Sequence, residues 1–147
     1  MVKWVFLMND SQGNPEHIHV IRVRYADVDQ MGVVYHTRYL EWFEAARTEL
    51  IRTMGRSYRE LEEEGTSLPV IEAYCRYRKP VKYDELVRVR TVIGNVSRSH
   101  LRLEYELWGE NDQIVRTEGY TVHCFLNQSG KPIRASQDII DFFSMSR

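Results

Sequence analysis

Tyr25-Ala26-Asp27-Val28-Asp29-Gln30-Met31-Gly32-Val33-Val34-Tyr35-His36-Thr37-Arg38-Tyr39-Leu40 is the stretch on which the reading of this chain turns. Before it, His17 to Arg24 alternates as a strand does, Ile18 and Val20 giving way to Ile21 and Val23 through a change of phase. After it, apolar residues recur at Tyr39, Trp42, Phe43, Ala46, Leu50 and Met54, the spacing of one helix face. Glu41, Glu44, Arg47 and Glu49 take the other faces, Thr37 stands where an N-cap belongs, and Gly55 where the helix should end. The quoted stretch therefore joins a strand to a long helix and carries two carboxylates, a glycine, a tyrosine and a histidine. A helix N-terminus offers unpaired N–H groups and partial positive charge, which suit a developing oxyanion, and Asp29 precedes it by a few residues. The residues also allow a plainer reading, with Asp27 and Asp29 as turn formers and His36 as a packing residue.

Working outward, Ser57-Tyr58-Arg59-Glu60 is a capping-box pattern opening a short helix through Glu64, closed by Gly65. Beyond Pro69 the period changes to 2. Strands are expected at Val70 to Arg78, Leu86 to Ile93, Leu101 to Leu107 and Ile114 to Leu126, with turns at Gly94-Asn95, Gly109 to Gln113 and Asn127 to Gly130. Gly119, inside the longest strand, marks a bulge or a close approach. Ser136 is placed to cap a C-terminal helix bearing Ile139, Ile140, Phe142 and Phe143. A strand, one long helix and then a run of strands make an α+β domain, a mostly antiparallel sheet of about five strands wrapped on that helix. One helix covers only part of such a sheet, and its free edges predict a homodimer or larger assembly.

The 147 residues suffice for a single domain, 1–147, and the net charge of −1 gives no sign of a nucleic-acid or anionic-membrane partner. Cys75 and Cys124 read as free thiols within apolar strands, a disulfide being left open. His17 and His19 share one side of a strand, too little for a metal site, and no other metal spacing occurs. Met1 to Met8 is apolar but too short for a signal sequence or membrane span; with the turn residues Asn9 to Pro15 it reads as an N-terminal arm or extra strand. A cytoplasmic location is expected.

Tyr25-x-x-x-Asp29-x-x-Gly32-Val33-Val34-Tyr35-His36, followed by Tyr39-Leu40 and Phe43-Glu44-x-Ala46-Arg47-Thr48-Glu49, resembles the hotdog-fold acyl-CoA thioesterases. The resemblance is nearest to the 4-hydroxybenzoyl-CoA thioesterase group, including its Tol-Pal-associated branch, and extends from about His17 to Phe143. Tyr77 to Leu86 and Gly130 to Arg134 match further segments of that family. What the resemblance implies is a hotdog fold, dimeric or tetrameric, that hydrolyses an acyl-CoA thioester with no cofactor. Asp29 then corresponds to the catalytic carboxylate, acting as nucleophile or general base. Gly32 corresponds to the loop glycine that lets the chain pass close to the thioester. The backbone N–H of His36 is the group that polarises the carbonyl, with Tyr25 and the His36 ring completing the network. Arg98 falls where related enzymes hold the coenzyme A phosphates, although the rest of their basic cluster is not matched here. Short or medium acyl-CoA is the implied substrate, with acyl-carrier protein and aromatic thioesters open. The hotdog fold also hosts hydratases, dehydratases and non-catalytic acyl-CoA-binding modules.

Overall fold

The computed structural model describes residues 13–145, so the reading of Met1 to Met8 lies outside the described residues. Strand β1 (Glu16–Arg22) leads through the loop to helix α1 (Arg38–Thr53) and the short helix α2 (Tyr58–Glu63). Strands β2 (Val70–Tyr77), β3 (Leu86–Val96), β4 (His100–Trp108) and β5 (Val115–Cys124) follow, then helix α3 (Gln137–Phe143). All the strand pairs are antiparallel, and the five strands lie in the order β1-β3-β4-β5-β2. After the helices the chain thus starts at the far edge of the sheet, beside β5, and β3 crosses back to pair with β1. Among the described residues both β1 and β2 are left as edges.

The inner face of the sheet is built by alternation: Val87, Val89, Thr91 and Ile93 on β3, Leu101, Leu103, Tyr105 and Leu107 on β4, and Thr117, Thr121 and His123 on β5 are all buried. Helix α1 lays Tyr39, Trp42, Phe43, Ala46, Leu50 and Ile51 on that face. The Phe43 ring stacks on Tyr105 with centroids 4.2 Å apart and planes 5° from parallel. Gly119 lies beneath this contact. A Cβ there would stand 2.2 Å from the carbonyl oxygen of Tyr74 and 2.9 Å from the Phe43 ring, so of the two roles expected for this glycine the structure shows close approach.

The caps follow the sequence closely in two helices. Ser57 Oγ accepts from the Glu60 N–H at 3.1 Å and Ser136 Oγ from the Ile139 N–H at 3.2 Å. Thr37 occupies the N-cap position of α1 but already has helical dihedrals (φ −73, ψ −21) and makes no side-chain cap. Three other expectations are corrected. β1 shows no change of phase: Ile18 and Val20 face outward and exposed, while His17 and His19 share the inward side with Ile21. The turn expected at Gly94-Asn95 is an irregularity in register inside β3, which continues to Val96. Ser97 makes the turn instead, its hydroxyl accepting from the His100 N–H at 3.1 Å while its N–H donates to the His100 carbonyl at 2.8 Å. Both cysteines are free.

The third correction concerns Arg47, which is buried and only 8 % exposed. Standing four residues after Phe43, it lies on the stripe that faces the sheet, and its polar head meets buried phenols there. Nε donates to the Tyr58 hydroxyl at 3.1 Å, and the Tyr105 hydroxyl lies beside the guanidinium. Hydrogen-bond directions around it follow from one carbonyl. Leu68 O can only accept, so His123 Nδ1 carries the proton in that 2.9 Å bond. In the neutral ring Nε2 is then an acceptor, taking the Thr121 hydroxyl proton at 2.8 Å, and Thr121 Oγ1 in turn accepts from Tyr105 at 2.7 Å. Burial, aided by the nearby Arg47 charge and opposed by the Leu68 carbonyl, pushes the imidazole down to about 4.

Two outcomes are expected. Gly119→Ala should lower unfolding free energy by about 2 kcal/mol, an overpacking cost, seen as a lower urea midpoint at unchanged m; an unaltered midpoint would show that ring and strand can yield. Below 6.5 the unfolded chain binds a proton at His123 that the folded one refuses down to about 4, so this stability is complete above pH 6.5 and is lost as pH falls. The stability gap between wild type and His123→Gln should therefore narrow between pH 7 and pH 4.5, by at most about 3 kcal/mol. A gap independent of pH would remove the imidazole as its source.

Candidate active site

A single turn of 3-10 helix, Tyr25–Asp27, opens the connection. Asp27 is buried, accepting from the Arg24 backbone N–H at 2.8 Å and from its guanidinium at 2.8 and 3.2 Å, with Arg38 Nε 3.8 Å away. Burial alone would raise this carboxyl, but the Arg24 hydrogen bonds and charge, with that of Arg38, hold it below its ordinary value. Asp27 thus ties the end of the strand to the start of α1.

Asp29 has a different setting. Its N–H donates to the Val33 carbonyl at 2.9 Å and its carbonyl accepts from the Gly32 N–H at 3.0 Å. Oδ1 accepts from the N–H groups of Met31 at 2.8 Å and Val33 at 3.4 Å. Among the described residues nothing donates to Oδ2, which leaves one carboxylate oxygen for chemistry. Gly32 has φ +79, the left-handed region, and a Cβ on it would meet nothing within 4 Å. Within one chain the loop needs this glycine for its backbone angle.

Asp29, Val34, His36, Tyr39, Tyr77 and Lys79 are among the residues lining a cleft of about 360 Å³ at the start of α1. Tyr77 donates its hydroxyl to the His36 carbonyl at 3.0 Å, anchoring the helix start to β2. The His36 ring is exposed, 4.5 Å from Tyr35 and edge-on to Tyr77 at 6.4 Å, centroid to centroid. Among the described residues no backbone carbonyl takes the N–H of His36 or Thr37. These are the groups that can polarise a carbonyl oxygen. Burial pushes the Tyr39 and Tyr77 phenols up to about 12, so both remain neutral donors and neither serves as a base near neutrality.

The structure brings Asp29 and His36 to one cleft. Tyr25 stands apart from it, 80 % exposed, with its ring edge-on to Tyr83 at 5.6 Å. Arg98 is also elsewhere: its guanidinium donates to the Ala135 carbonyl at 3.2 Å and to Gln137 at 3.1 Å, joining the β3–β4 turn to the segment before α3. The cations at the cleft are Arg78, paired with Glu118 at 2.9 Å, and Lys79. The sequence reading passed over them, with Tyr77, as the end of a strand; Pro80 just beyond was the signal that the strand stops at a mouth. A second cleft, of about 280 Å³, lies further along α1 and β2, between Leu40, Glu44 and Arg47 on the helix and Val70 and Ala73 on the strand. Among the described residues no group of His, Cys, Asp and Glu could hold a metal, and no helix is long and apolar enough to cross a membrane.

Residues 23–143 match the family described as the thioesterase-like superfamily. The chain belongs to the thioesterase-like superfamily. Among curated relatives it is similar to the acyl-CoA thioesterase YbgC of Haemophilus influenzae, 39 % identical over 120 residues that cover 81 % of this chain and 88 % of that one. Among solved structures it resembles a DHNA-CoA thioesterase from Staphylococcus aureus, with TM-score 0.82 and 34 % identity over 88 % of this chain and 89 % of that one. The fold alone is shared with a 4-hydroxybenzoyl-CoA thioesterase mutant complexed with 4-hydroxybenzoyl-CoA, at TM-score 0.80 and 18 % identity, covering 88 % of this chain and 99 % of that chain. The sheet and central helix are those of the hotdog thioesterases, and the family is one of thioester-cleaving enzymes.

The loop geometry separates two substitutions at Asp29. Asn keeps the Oδ1 acceptor, so Asp29→Asn should unfold at nearly the wild-type midpoint, whereas Asp29→Ala should lose about 1 kcal/mol with its loop hydrogen bonds. Equal midpoints for the two variants in denaturant titrations would show that the Asp29 side chain does not order the loop.

Proposed function

We propose that the protein hydrolyses acyl-CoA thioesters in the cleft at the start of α1. The carrying observation is the placement of a carboxylate oxygen with no donor among the described residues, Asp29 Oδ2, in the same cleft as the first turn of a helix that has no side-chain cap. A thioester carbonyl seated there would point its oxygen at the N–H groups of His36 and Thr37. Asp29 then acts as nucleophile on the carbonyl carbon or takes a proton from an attacking water. Either route gives a tetrahedral centre whose negative oxygen is held by those N–H groups, and it collapses with cleavage of the C–S bond as the coenzyme A thiolate leaves. Attack by water yields the acid directly, its proton passing through Asp29 to the thiolate or solvent. Attack by the carboxylate instead leaves a mixed anhydride on Asp29, which a water hydrolyses to release the acid and restore the carboxylate. The thiolate is a good leaving group, so this chemistry needs no metal or cofactor. Tyr77 acts as a positioning residue through the His36 carbonyl. The exposed His36 ring can orient water or the thioester, and the Tyr25 phenol would join only from a second chain. Lys79 at the mouth supplies charge for a coenzyme A phosphate, and Arg98 would serve a substrate bound to another protomer.

The substrate reading is a short or medium acyl-CoA, with an acyl-carrier-protein thioester as the competing source of the same bond, and coenzyme A thioesters go with a cytoplasmic location. The assembly reading is a homodimer, or a tetramer built from it. Edge strand β2 exposes Val70, Ile71, Tyr74 and Tyr77 beside an unpaired backbone edge, which a second copy can cover.

Thiol release from a panel of aliphatic and aromatic acyl-CoAs tests the activity. Wild type should release thiol and Asp29→Asn should lose at least about a hundredfold in kcat, the usual scale for a general base, at an unchanged unfolding midpoint. Retention of most of kcat would remove Asp29 from the role. His36→Ala should be milder, because its backbone N–H survives; a loss equal to that of Asp29→Asn would mean that the imidazole itself takes part.

A further inference from the structure

The lip of the catalytic cleft is held by one side chain from β5. Arg78, Lys79 and Pro80 line that cleft just past the end of β2, where the strand ladder runs out. The N–H groups of Arg78 and Lys79 both go to the Arg116 carbonyl, at 2.8 and 3.0 Å, and Pro80 has no N–H to continue the pairing. The Arg116 guanidinium takes over from there. Nη1 donates to the Pro80 carbonyl at 2.9 Å and lies 3.5 Å from Glu85 Oε2, while Nη2 donates to Asp112 Oδ2 at 2.9 Å. The side chain is only 15 % exposed. From Pro80 the hold passes to the catalytic loop: Val81 is fully buried, its carbonyl accepts from the Val34 N–H at 2.8 Å, and Lys82 bridges to Val33.

The same guanidinium also sets the charge at the mouth. Arg78 is paired with Glu118, whereas Lys79 holds no ion pair among the described residues. Two carboxylates, Glu85 and Asp112, flank the lip, and Arg116 engages both. The Asp112 carboxyl is held below its ordinary value, first by the Arg116 hydrogen bond, then by the Ile114 N–H, with the Lys79 charge adding to it. Lys79 thus lies within the field of Asp112, and Arg116 keeps that carboxylate occupied. Without the guanidinium, both carboxylates would draw Lys79 to themselves and repel an anion at the mouth. Gly109, just after β4, makes room for this arrangement, since a Cβ there would stand 2.7 Å from the guanidinium carbon. What it would meet is the far end of a flexible side chain, so alanine at 109 displaces the guanidinium and leaves the strands in place.

We infer that Arg116 is a positioning residue for substrate binding, fixing the lip of the cleft and keeping Lys79 available to the phosphates of the coenzyme A nucleotide. The inference rests on the acyl-CoA reading of the cleft. It divides the substrate in two. The pantetheine thioester is uncharged and is seated by the Asp29 loop and the start of α1, whereas the anionic nucleotide is read at the lip. Arg116 acts through Lys79 and Pro80, not on the reacting atoms.

Binding to Asp29→Asn, measured by calorimetry, separates recognition from turnover. The probes are hexanoyl-CoA and S-hexanoylpantetheine, which share the thioester and differ by the charged nucleotide. Adding Arg116→Gln should cut the preference for hexanoyl-CoA by about tenfold, the scale of one charge-assisted contact. Gly109→Ala, which removes no side chain, should lower the same preference and serves also if Arg116→Gln does not fold. In a Lys79→Met background Arg116→Gln should change the preference by less than about twofold, because the two residues act as one unit. Equal weakening of both probes would make Arg116 a merely structural residue and overturn the inference. So would a full Arg116 effect without Lys79, or a Gly109→Ala preference equal to that of the parent. An Arg116-dependent preference with no thiol release from hexanoyl-CoA by wild type would sink the hydrolase reading and leave the lip standing. Thiol release with a preference that neither variant alters does the reverse.

Discussion

Helix α1 can lie as deep as it does because position 119 has no side chain. Phe43 settles flat on Tyr105 above that glycine, and the depth of this contact sets what happens one turn to either side. Toward the N-terminus it buries Tyr39 against β5 and brings the first turn of the helix to Tyr77, whose hydroxyl closes on the His36 carbonyl. Toward the C-terminus it carries Arg47 down to Tyr58 and Tyr105. The helix lies over the strands but leaves the rim along β2 open, and both clefts are the spaces remaining there.

Two aspartates two residues apart show how the loop divides labour. Asp27 is enclosed by Arg24 and Arg38, its carboxyl held below the ordinary value, and it serves the backbone path. Asp29 spends one oxygen on a tight turn that needs a left-handed glycine, and keeps the other. The neighbouring phenols, raised to about 12, stay protonated, and that of Tyr77 donates to the His36 carbonyl. The cleft thus offers one carboxylate and several donors, which is the polarity that cleavage of a neutral carbonyl compound requires. Membership of a family of thioesterases and this local arrangement point the same way from independent starting points.

The same physics explains which expectations had to change. Periodicity gave β3 and β4 their inner faces and α1 its apolar stripe, because burial acts residue by residue along a regular element. It placed Ser57 and Ser136 as caps because a cap is a contact between near neighbours. It mistook Gly94-Asn95 for a turn, since a glycine inside a strand and a glycine at its end look alike until the partner strand supplies the register. It put Arg47 on the solvent side by residue type, although its spacing from Phe43 pointed inward; only the presence of Tyr58 and Tyr105 makes that burial tolerable.

By itself the sequence determined the kinds of element, their approximate bounds, the α+β class and the loop in which Asp29 and His36 are brought near each other. All of these depend on contacts between residues close in the chain or on a repeating pattern. The tertiary structure alone decided the strand order that sends β2 to the far edge, the separation of Tyr25 and Arg98 from the cleft, the arrival of Lys79 and Tyr77 at its mouth, and the burial of the Arg47 guanidinium against Tyr58 and Tyr105. Each of those depends on which distant segments meet, and a one-dimensional pattern records the tendency of a residue to be buried without recording what it will be buried against.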